Sequence, residues 1–302
     1  MIASITYQPI PIVHLGGFHL SIHGLFIALG FLAGAWIAVR AVERSGGDAE
    51  RYQNVLSWAL VGALVGARYL TAPAALLDGA GWGALSPLGG NFSIMGGFTG
   101  GILVGWWRMR SLGMDFLPTL DLSTTGLALG TVVGRLGCLA IAEHLGTATT
   151  LPWGFAVMAG YDVAPAHNGL ECTVAQAGAD GVCGVYQPVA LYDLLGAAIL
   201  LVVLAVMSRR IRLRPGQLFA GWMVWYGLQR FLLDSLRAGD AALGGFSWNQ
   251  LVGLTGAIAG LFLMRWMGRR PKPGIDTPPP ALRHRTGAGA DPVSSPPLTV
   301  DR

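Results

Sequence analysis

Seven long apolar stretches dominate this 302-residue chain, each close to the ~20 residues that an α-helix needs to cross a bilayer. Hydrophobic residues make up 53% of the chain and charged residues 12%, about half the ~25% that is usual in soluble domains. The pattern predicts an all-α polytopic membrane protein with about seven transmembrane helices. They lie at roughly 19–40, 54–72, 92–108, 116–143, 188–207, 217–237 and 249–267.

Basic residues follow alternate apolar stretches, which predicts the orientation of the helices. They occur after the first, third, fifth and seventh stretches, whereas segments 73–92 and 144–187 contain no Lys or Arg. Cytoplasmic loops carry the excess of Lys and Arg, so we expect the N-terminus outside and the C-terminus in the cytoplasm. Residues 1–270 then form the membrane domain with an outer loop at 144–187, and the Pro- and Gly-rich residues 271–302 form a disordered cytoplasmic tail.

Two of the three cysteines, Cys172 and Cys183, lie in the predicted outer loop. An outer loop is in an oxidising compartment, so a Cys172–Cys183 disulfide is expected, with two free thiols as the alternative. The cysteines do not have the spacing of a four-ligand zinc site, and we expect no metal. The net charge of +4 comes without a basic patch interleaved with aromatics, so nucleic acid is not an expected partner.

Three arginines, Arg68, Arg135 and Arg230, lie within apolar stretches. A guanidinium in lipid costs at least ~2.5 kcal/mol and is rarely kept without a partner or a ligand. Counting ~1.5 Å per helical residue places Arg68 and Arg230 roughly 20 Å, and Arg135 roughly 28 Å, from the inner ends of their stretches. Three cations in one half of the membrane predict a pocket for an anion such as a lipid phosphate. The alternative is structural, with arginines that reach water or pair within a helix, as Arg230 could with Asp234 four residues on.

Further polar residues fall near the outer ends of the stretches, while the inner halves look plainly apolar. His23, Tyr192, Glu143 and His144 are of this kind, and Gly96 and Gly97 open the third stretch, where their backbone N–H groups could face an anion. This asymmetry predicts a site in the outer leaflet. No polar path leads inward, which argues against a channel or transporter.

Six collinear segments between about residues 19 and 240 carry a resemblance to a known family. They are LSIHGLFIALGFLAGAWIAVRA, GARYL, NFSIMGGFTGG, GRLGCLAIAEHLGTATTLPWG, YQPVALYD and YGLQRFLLDSLRAGD. The chain resembles the prolipoprotein diacylglyceryl transferases of the bacterial inner membrane. The resemblance implies transfer of a diacylglyceryl group from phosphatidylglycerol to the lipobox cysteine thiol of a preprolipoprotein. The implied partners are phosphatidylglycerol, preprolipoprotein signal peptides and membrane lipid, and no diffusible cofactor is implied.

The same resemblance implies roles for individual residues. Arg135 and Arg230 look like the family's phosphate-binding arginines, and Glu143 matches the acidic residue of its signature, where it could orient Arg135 or a substrate hydroxyl. Asp234 stands where the family usually has Glu, and we interpret it as a partner of Arg230. Arg68 and Tyr192 fall in two further matching segments and are expected near the substrate.

The chain departs from the family at several positions. Met95 stands where a proposed histidine base is usual, Cys138 replaces Asn, His23 replaces Tyr, and Ala142 replaces Gly. In one hypothesis His144 or His23 accepts the thiol proton in a working enzyme. In the other, the protein is a divergent phospholipid-binding envelope protein, or a transferase with another acceptor.

Overall fold

Seven helices of 18 residues or more lie within the part of the chain that the computed structural model describes: residues 4–10, 13–15, 18–70, 76, 94–161, 177–211, 213–237 and 245–269. The helices are α1 (Ile22–Arg44), α2 (Ala49–Tyr69), α3 (Ile94–Ser111), α4 (Phe116–Ala140), α5 (Val189–Arg210), α6 (Gln217–Asp234) and α7 (Trp248–Gly268). Each coincides with a predicted stretch to within a few residues. Four of them, α1, α4, α5 and α7, are long and apolar enough to cross a membrane.

The expectation of an entirely helical fold was wrong for the segment between α4 and α5. Strands β3 (Leu145–Ala148), β4 (Phe155–Met158) and β5 (Val182–Pro188) form an antiparallel sheet in the order β3-β5-β4. A short hairpin of β1 (Val13–Leu15) and β2 (Phe18–Leu20) precedes α1. The runs Phe155–Met158 and Val182–Pro188 are rich in β-branched and aromatic residues, which favour strands.

Of the two cysteines in the predicted outer-loop disulfide, the structure describes only Cys183. Cys183, on β5, is disulfide-bonded, and Cys138, in α4, is free and buried. Cys172 lies outside the described residues, as does the predicted tail 271–302. The pairing of Cys172 with Cys183 therefore stays a prediction.

The chain forms two compact units, one of residues 1–56 and 117–277 and one that includes residues 57–116. The first contains α1, α4, α5, α6, α7 and the sheet of β3, β4 and β5. The second contains most of α2 together with α3. In it the ring of Trp58 meets Trp107 edge-on at 5.9 Å between centroids, and Arg108 lies 5.9 Å from the Trp58 ring.

Glycines let α1 and α4 approach until their backbones touch. A Cβ on Gly30 would lie 2.7 Å from the carbonyl oxygen of Gly130, and one on Gly34 would lie 2.5 Å from that of Gly126. Small residues at such crossings are the usual means of close helix packing in membranes. This crossing fixes α1, which carries His23, against α4, which carries Arg135 and Cys138.

Polar groups also lie in the first turns of α4, although we expected nearly all of them near the outer ends of the apolar stretches and plainly apolar inner halves. Asp121 accepts hydrogen bonds from the backbone N–H groups of Gly216 at 2.5 Å and Phe219 at 2.9 Å, which caps the N-terminus of α6. Ser123 lies 2.6 Å from the hydroxyl of Tyr52. These groups serve the joints between helices, a role that single-helix periodicity does not reveal.

The outer faces of the helices are apolar and exposed. Large side chains more than half exposed include Leu32, Ile102, Val202, Leu232 and Phe262. Large apolar side chains exposed in such number are typical of surfaces that contact lipid or another protein. Together with the four apolar helices, it supports a polytopic membrane protein.

We expect Gly34→Leu to reduce the yield of folded protein, because overpacking a tight crossing costs ~1–3 kcal/mol and here the clash is with backbone. The matched control is Gly256→Leu on α7, where an added Cβ meets nothing within 4 Å. The measurement is the fraction of monodisperse protein after detergent extraction and its thermal midpoint. Equal behaviour of the two variants would contradict the assigned α1–α4 contact.

Candidate active site

The carboxylate of Asp193 joins three helices in the first unit. Its Oδ2 lies 2.8 Å from Nη2 of Arg135 on α4 and 3.9 Å from Nη1 of Arg230 on α6. Gln229 donates to Asp193 Oδ1 at 2.7 Å and to its backbone oxygen at 3.0 Å. The side chain of Asp193 is 4% exposed, so its charge depends on these partners rather than on water.

A second carboxylate, Asp234 at the end of α6, continues the cluster. Its Oδ1 lies 3.8 Å from Nη2 of Arg230 and 3.6 Å from Nη1 of Arg237, and the Ser247 hydroxyl that caps α7 donates to its Oδ2. The expected Arg230–Asp234 proximity is therefore present. Both distances to Asp234 Oδ1 exceed that of a hydrogen bond, and this oxygen has no hydrogen-bond partner within the described residues.

Arginines exceed aspartates in this cluster. Arg135, Arg230 and Arg237 face Asp193 and Asp234, which leaves one excess positive charge. Nε and Nη2 of Arg237 are buried without a hydrogen-bond partner in the described part of the chain. A buried donor left unpaired costs ~1–3 kcal/mol, so the cluster is suited to bind an anion that accepts these N–H groups.

The turn after α4 folds Glu143 back over the end of the helix. The N–H of Ala142 donates to Leu139 O at 3.0 Å and that of Glu143 to Cys138 O at 2.9 Å, the two bonds of a Schellman cap. Ala142, at φ 48°, occupies the left-handed position that glycine usually fills, and His144, at φ 61°, is left-handed too. Each such residue costs ~1–2 kcal/mol, and strain of this kind is characteristic of functional sites.

Three predicted residues, His23, Glu143 and His144, meet Cys138 at this turn. Nδ1 of His23 lies 3.5 Å from Cys138 Sγ and 3.3 Å from Glu143 Oε2, and Glu143 Oε1 lies 3.7 Å from His144 Nε2. Arg135 donates from Nη1 to Cys138 Sγ at 3.7 Å, which connects this group to the arginine cluster. Of the predicted residues, His23, Arg135, Glu143, His144, Arg230 and Asp234 therefore lie in one continuous set of contacts.

His144 is a poor candidate for the base. Burial lowers its pKa to about 2, and the nearby cations Arg237, Arg135 and Arg230 act in the same direction. The ring is therefore neutral at physiological pH and takes up a proton weakly. This argues against one of the two histidines proposed from the sequence.

The sheet supports the site from outside the helices. Strand β5 runs directly into α5, and Tyr192 there accepts a hydrogen bond from Trp153 Nε1 at 2.8 Å and donates to Gln187 Oε1 at 2.7 Å. Both polar functions of the Tyr192 hydroxyl are thus used within the protein. Thr147 on β3 donates its N–H to Leu236 O at 2.9 Å, which fixes the backbone beside Arg237.

The N-terminal segment closes the end of α4. Ile10 donates its N–H to Ala140 O at 3.0 Å, and the hydroxyl of Tyr7 donates to Leu139 O. The bond from Ile10 satisfies a carbonyl that a helix end otherwise leaves open, and that from Tyr7 adds a second donor to Leu139 O, which also accepts from Ala142. The ring of Tyr7 packs edge-on against Phe155 of β4 at 5.0 Å, and burial raises its pKa to about 12.

Three predicted substrate-binding residues belong to the second unit. Arg68 is 5% exposed, and its guanidinium lies 5.7 Å from the Tyr69 ring. A Cβ on Gly96 would overlap Gly66 O, and one on Gly97 would lie 3.5 Å from Ala63 O. Packing of α3 against α2 therefore requires glycine at position 96, whereas a side chain at position 97 would make an ordinary van der Waals contact. The roles of Arg68, Gly96 and Gly97 in substrate binding stay predictions.

Asp193 and Arg237 fall near the outer ends of their stretches, but the sequence analysis gave no site role to them or to Gln229. A usable signal existed for Asp193, because a carboxylate inside an apolar stretch needs a cationic partner. Arg237 is the last residue of its predicted stretch, so the sequence placed it near the outer surface. In the structure its backbone pairs with Gly146 of β3, a strand that the sequence analysis did not predict.

Comparisons with known proteins agree on one family. A sequence model of the prolipoprotein diacylglyceryl transferase family matches residues 11–266. A phosphatidylglycerol–prolipoprotein diacylglyceryl transferase of Gloeobacter violaceus is 30% identical over 263 residues, which cover 86% of this chain and 93% of the relative. The enzyme of that name from Thermus thermophilus is 30% identical over 281 residues, covering 85% and 98%, and that from Thermotoga maritima is 26% identical over 266 residues, covering 86% of each.

We expect Asp193→Asn to lower the free energy of unfolding by ~3–5 kcal/mol, because it leaves Arg135 buried without its 2.8 Å partner. Asn has the same shape as Asp and can still accept the hydrogen bond from Gln229, so the change in stability reports on the lost charge. Thermal unfolding of the purified protein in detergent measures it. Asp180→Asn, on an exposed turn, is the control and should stay within ~0.5 kcal/mol. An unchanged midpoint for Asp193→Asn would show that Asp193 is not the counter-charge.

Proposed function

Because this chain belongs to the prolipoprotein diacylglyceryl transferase family, we propose that it transfers a diacylglyceryl group from phosphatidylglycerol to the lipobox cysteine thiol of prolipoproteins. The relatives' names give both substrates. The observation that carries the proposal is the buried cluster of Arg135, Arg230 and Arg237, which has one positive charge more than its two aspartates balance.

The anion in this proposal is the phosphodiester of phosphatidylglycerol, which carries one negative charge and matches the excess. Arg230 lies 3.8–3.9 Å from its carboxylates, and Arg237 has two buried N–H-bearing nitrogens without partners in the described residues, so both can turn donors to phosphate oxygens. Guanidinium groups suit this role because two parallel N–H groups fit two oxygens. Arg135, bound tightly to Asp193, serves more as a fixed positive charge.

The reaction then needs one nucleophile and one leaving group. The substrate thiolate attacks the glycerol carbon of the diacylglyceryl group, an S–C bond forms, and the C–O bond to phosphate breaks. The electron pair stays on the departing glycerol phosphate, which ends with the proton that the thiol has lost. Arginines placed beforehand around that phosphate stabilise its growing charge, and in a buried site such stabilisation is a large part of catalysis.

The acyl chains and the signal peptide require access from the bilayer. The exposed apolar faces of the helices, with residues such as Leu32, Val202 and Leu232, are suited to contact with lipid. Trp153 is exposed, lies beside the sheet and is held by Tyr192. An aromatic side chain of this kind is favoured at a membrane interface.

We further propose a multi-pass protein of the bacterial inner membrane with seven spans, the N-terminus outside and the C-terminus in the cytoplasm. Support comes from the seven helices and from the basic residues that follow α1, α3, α5 and α7. In this orientation the sheet and the arginine cluster lie on the outer side. Prolipoprotein cysteines and outer-leaflet phospholipid then reach the site from the same side.

This topology predicts that the segment between α4 and α5 is outside the cell membrane and oxidised. Peptide mapping without reduction, on protein purified after thiol blocking of intact cells, should find Cys172 linked to Cys183 and Cys138 free. Reduction before mapping is the control. Free thiols at both outer positions, or labelling of the segment only after the membrane is opened, would contradict the orientation.

We expect Arg230→Ala to reduce diacylglyceryl transfer ~100-fold or more, because a guanidinium that stabilises the leaving phosphate is lost. Arg135→Ala should act similarly, with a further loss of stability because Asp193 loses its partner. The measurement is the mass gain on the lipobox cysteine of a model lipoprotein in cells depleted of their own transferase. Arg209→Ala, exposed at the far end of α5, is the matched control and should keep activity.

Arg230→Lys separates charge from geometry, since it keeps the cation but loses the two-pronged donor. It should fold like the parent and transfer slowly. Full activity of the Arg230 variants would contradict the proposed role of the cluster. A parent protein that is abundant in the membrane yet adds no mass to the lipobox cysteine would instead favour a phospholipid-binding protein without transferase activity.

A further inference from the structure

We propose that His23, Cys138 and Glu143 form a zinc site with an open fourth position, and that the substrate thiol binds there as a thiolate. Zinc binding itself is independent of the proposed function, whereas the role for the substrate thiol rests on it. The sequence alone gave no reason to expect a metal, because the three residues are spread over 120 positions and number three rather than four.

The distances between the three side chains match a tetrahedral zinc site. Bonds of ~2.0 Å to nitrogen and oxygen and ~2.3 Å to sulfur place nitrogen and oxygen ligands ~3.3 Å apart, and nitrogen and sulfur ligands ~3.5 Å apart. The observed distances are 3.3 Å from His23 Nδ1 to Glu143 Oε2 and 3.5 Å from His23 Nδ1 to Cys138 Sγ. All three ligand atoms lie within 4.8 Å of one another, so a small rotation of Glu143 completes the set.

A bound cation would also give a partner to the buried carboxylate oxygen of Glu143. Its Oε2 is buried and has no hydrogen-bond partner in the described part of the chain, even though His23 Nδ1 lies 3.3 Å away. The nitrogen therefore does not direct a proton at this oxygen, and the two atoms are arranged as neighbouring ligands rather than as donor and acceptor. A bare carboxylate oxygen in a buried place is costly unless a cation meets it.

The backbone holds the ligands in this arrangement at a cost. Ala142 and His144, on either side of Glu143, both have left-handed backbone angles, and the Schellman cap brings Glu143 over Cys138. The close crossing of α1 with α4 sets His23 opposite Cys138. A Cβ on Gly137, next to Cys138, would lie 2.6 Å from Phe26 Cβ of α1, which shows how tightly the two helices meet there.

Thiolate, imidazole and carboxylate together favour zinc over the commoner divalent cations. Magnesium and calcium take mainly oxygen ligands, whereas zinc takes Cys, His and Glu at four-coordinate sites. Three protein ligands with one open position are the arrangement of catalytic rather than structural zinc. Before the substrate thiol binds, a thiolate and a carboxylate neutralise Zn²⁺ and leave the one excess positive charge of the arginine cluster for the phosphodiester.

The zinc site would help to remove the proton of the substrate thiol. Met95 cannot do this, because a thioether accepts no proton. A thiol that binds zinc gives up its proton to solvent and becomes a metal-bound thiolate. That sulfur forms the S–C bond to the glycerol carbon, the C–O bond breaks with its electron pair left on glycerol phosphate, and this product takes up a proton. Arg135, 3.7 Å from Cys138 Sγ and 2.8 Å from Asp193, links the zinc site to the phosphate-binding cluster.

The first test is the metal content of the full-length protein, purified in detergent without chelator and then supplied with Zn²⁺. We expect about one zinc ion per chain, measured by mass spectrometry of the metal after gel filtration. The double variant His23→Tyr with Cys138→Asn carries the residues usual in the family and should lose nearly all of it. His144→Ala is the matched control on the same turn and should keep the metal, because His144 faces the other oxygen of Glu143.

Cobalt provides a signature that a structural role for Cys138 would not give. After replacement of zinc by Co²⁺, the parent should show the charge-transfer absorption of a cobalt–thiolate bond, and Cys138→Ser should lack it while it still elutes as folded protein. Absence of bound zinc in the folded parent, or equal zinc in the parent and the double variant, would overturn the proposal.

Transfer assays separate this proposal from the proposed function. Removal of zinc by a chelator should lower transfer at least ~10-fold, and added Zn²⁺ should restore it, with gel filtration as the check on folding. Full transfer by metal-free protein would overturn the zinc site and leave the transferase intact. Bound zinc with the cobalt signature, but without any transfer, would keep the metal site and remove the transferase function.

Discussion

The buried carboxylate of Asp193 is the interaction on which the rest of the site depends. Arg135 cannot remain between apolar helices without a counter-charge, and Asp193 supplies it from the next helix at 2.8 Å. Nη1 of Arg230 lies 3.9 Å from the same oxygen, so one carboxylate on α5 connects α4 with α6. Because this carboxylate is shared and a second one is shared between Arg230 and Arg237, three arginines face two carboxylates. The proposed binding of an anion depends on this excess of positive charge.

The helices and the sheet both hold the arginine cluster in position. Helix packing through glycines sets α1 against α4, and Asp121 fixes the start of α6 at the opposite end of the bundle. The sheet acts at the other end, where β5 continues into α5 and β3 holds the backbone beside Arg237. The residues of the proposed site lie where these two kinds of support meet.

Sequence reasoning predicted the helices well because an apolar stretch of membrane-spanning length has few alternatives. It also singled out Arg135, Glu143 and Arg230, because charge within or beside such a stretch demands an explanation. It did not predict the sheet, since short strands between helices give a weak periodic signal. It also missed Asp193 and Arg237 as site residues, because their importance arises from partners on other elements. Sequence spacing gives no signal for the contact between His23 and Cys138, which are 115 positions apart. Both residues differ from those usual in the family.

Residues 4–10 make the end of α4 complete, and this has a consequence for how the protein is made. Ile5 pairs with β4, and Ile10 and Tyr7 bond to the last carbonyls of α4. These residues are synthesised before their partners, which follow some 130–150 positions later in the chain. The segment 4–10 must therefore wait unpaired until α4 and β4 have been made. Biogenesis of the site finishes when this earlier segment returns to the later one, so the order of synthesis and the order of assembly are not the same.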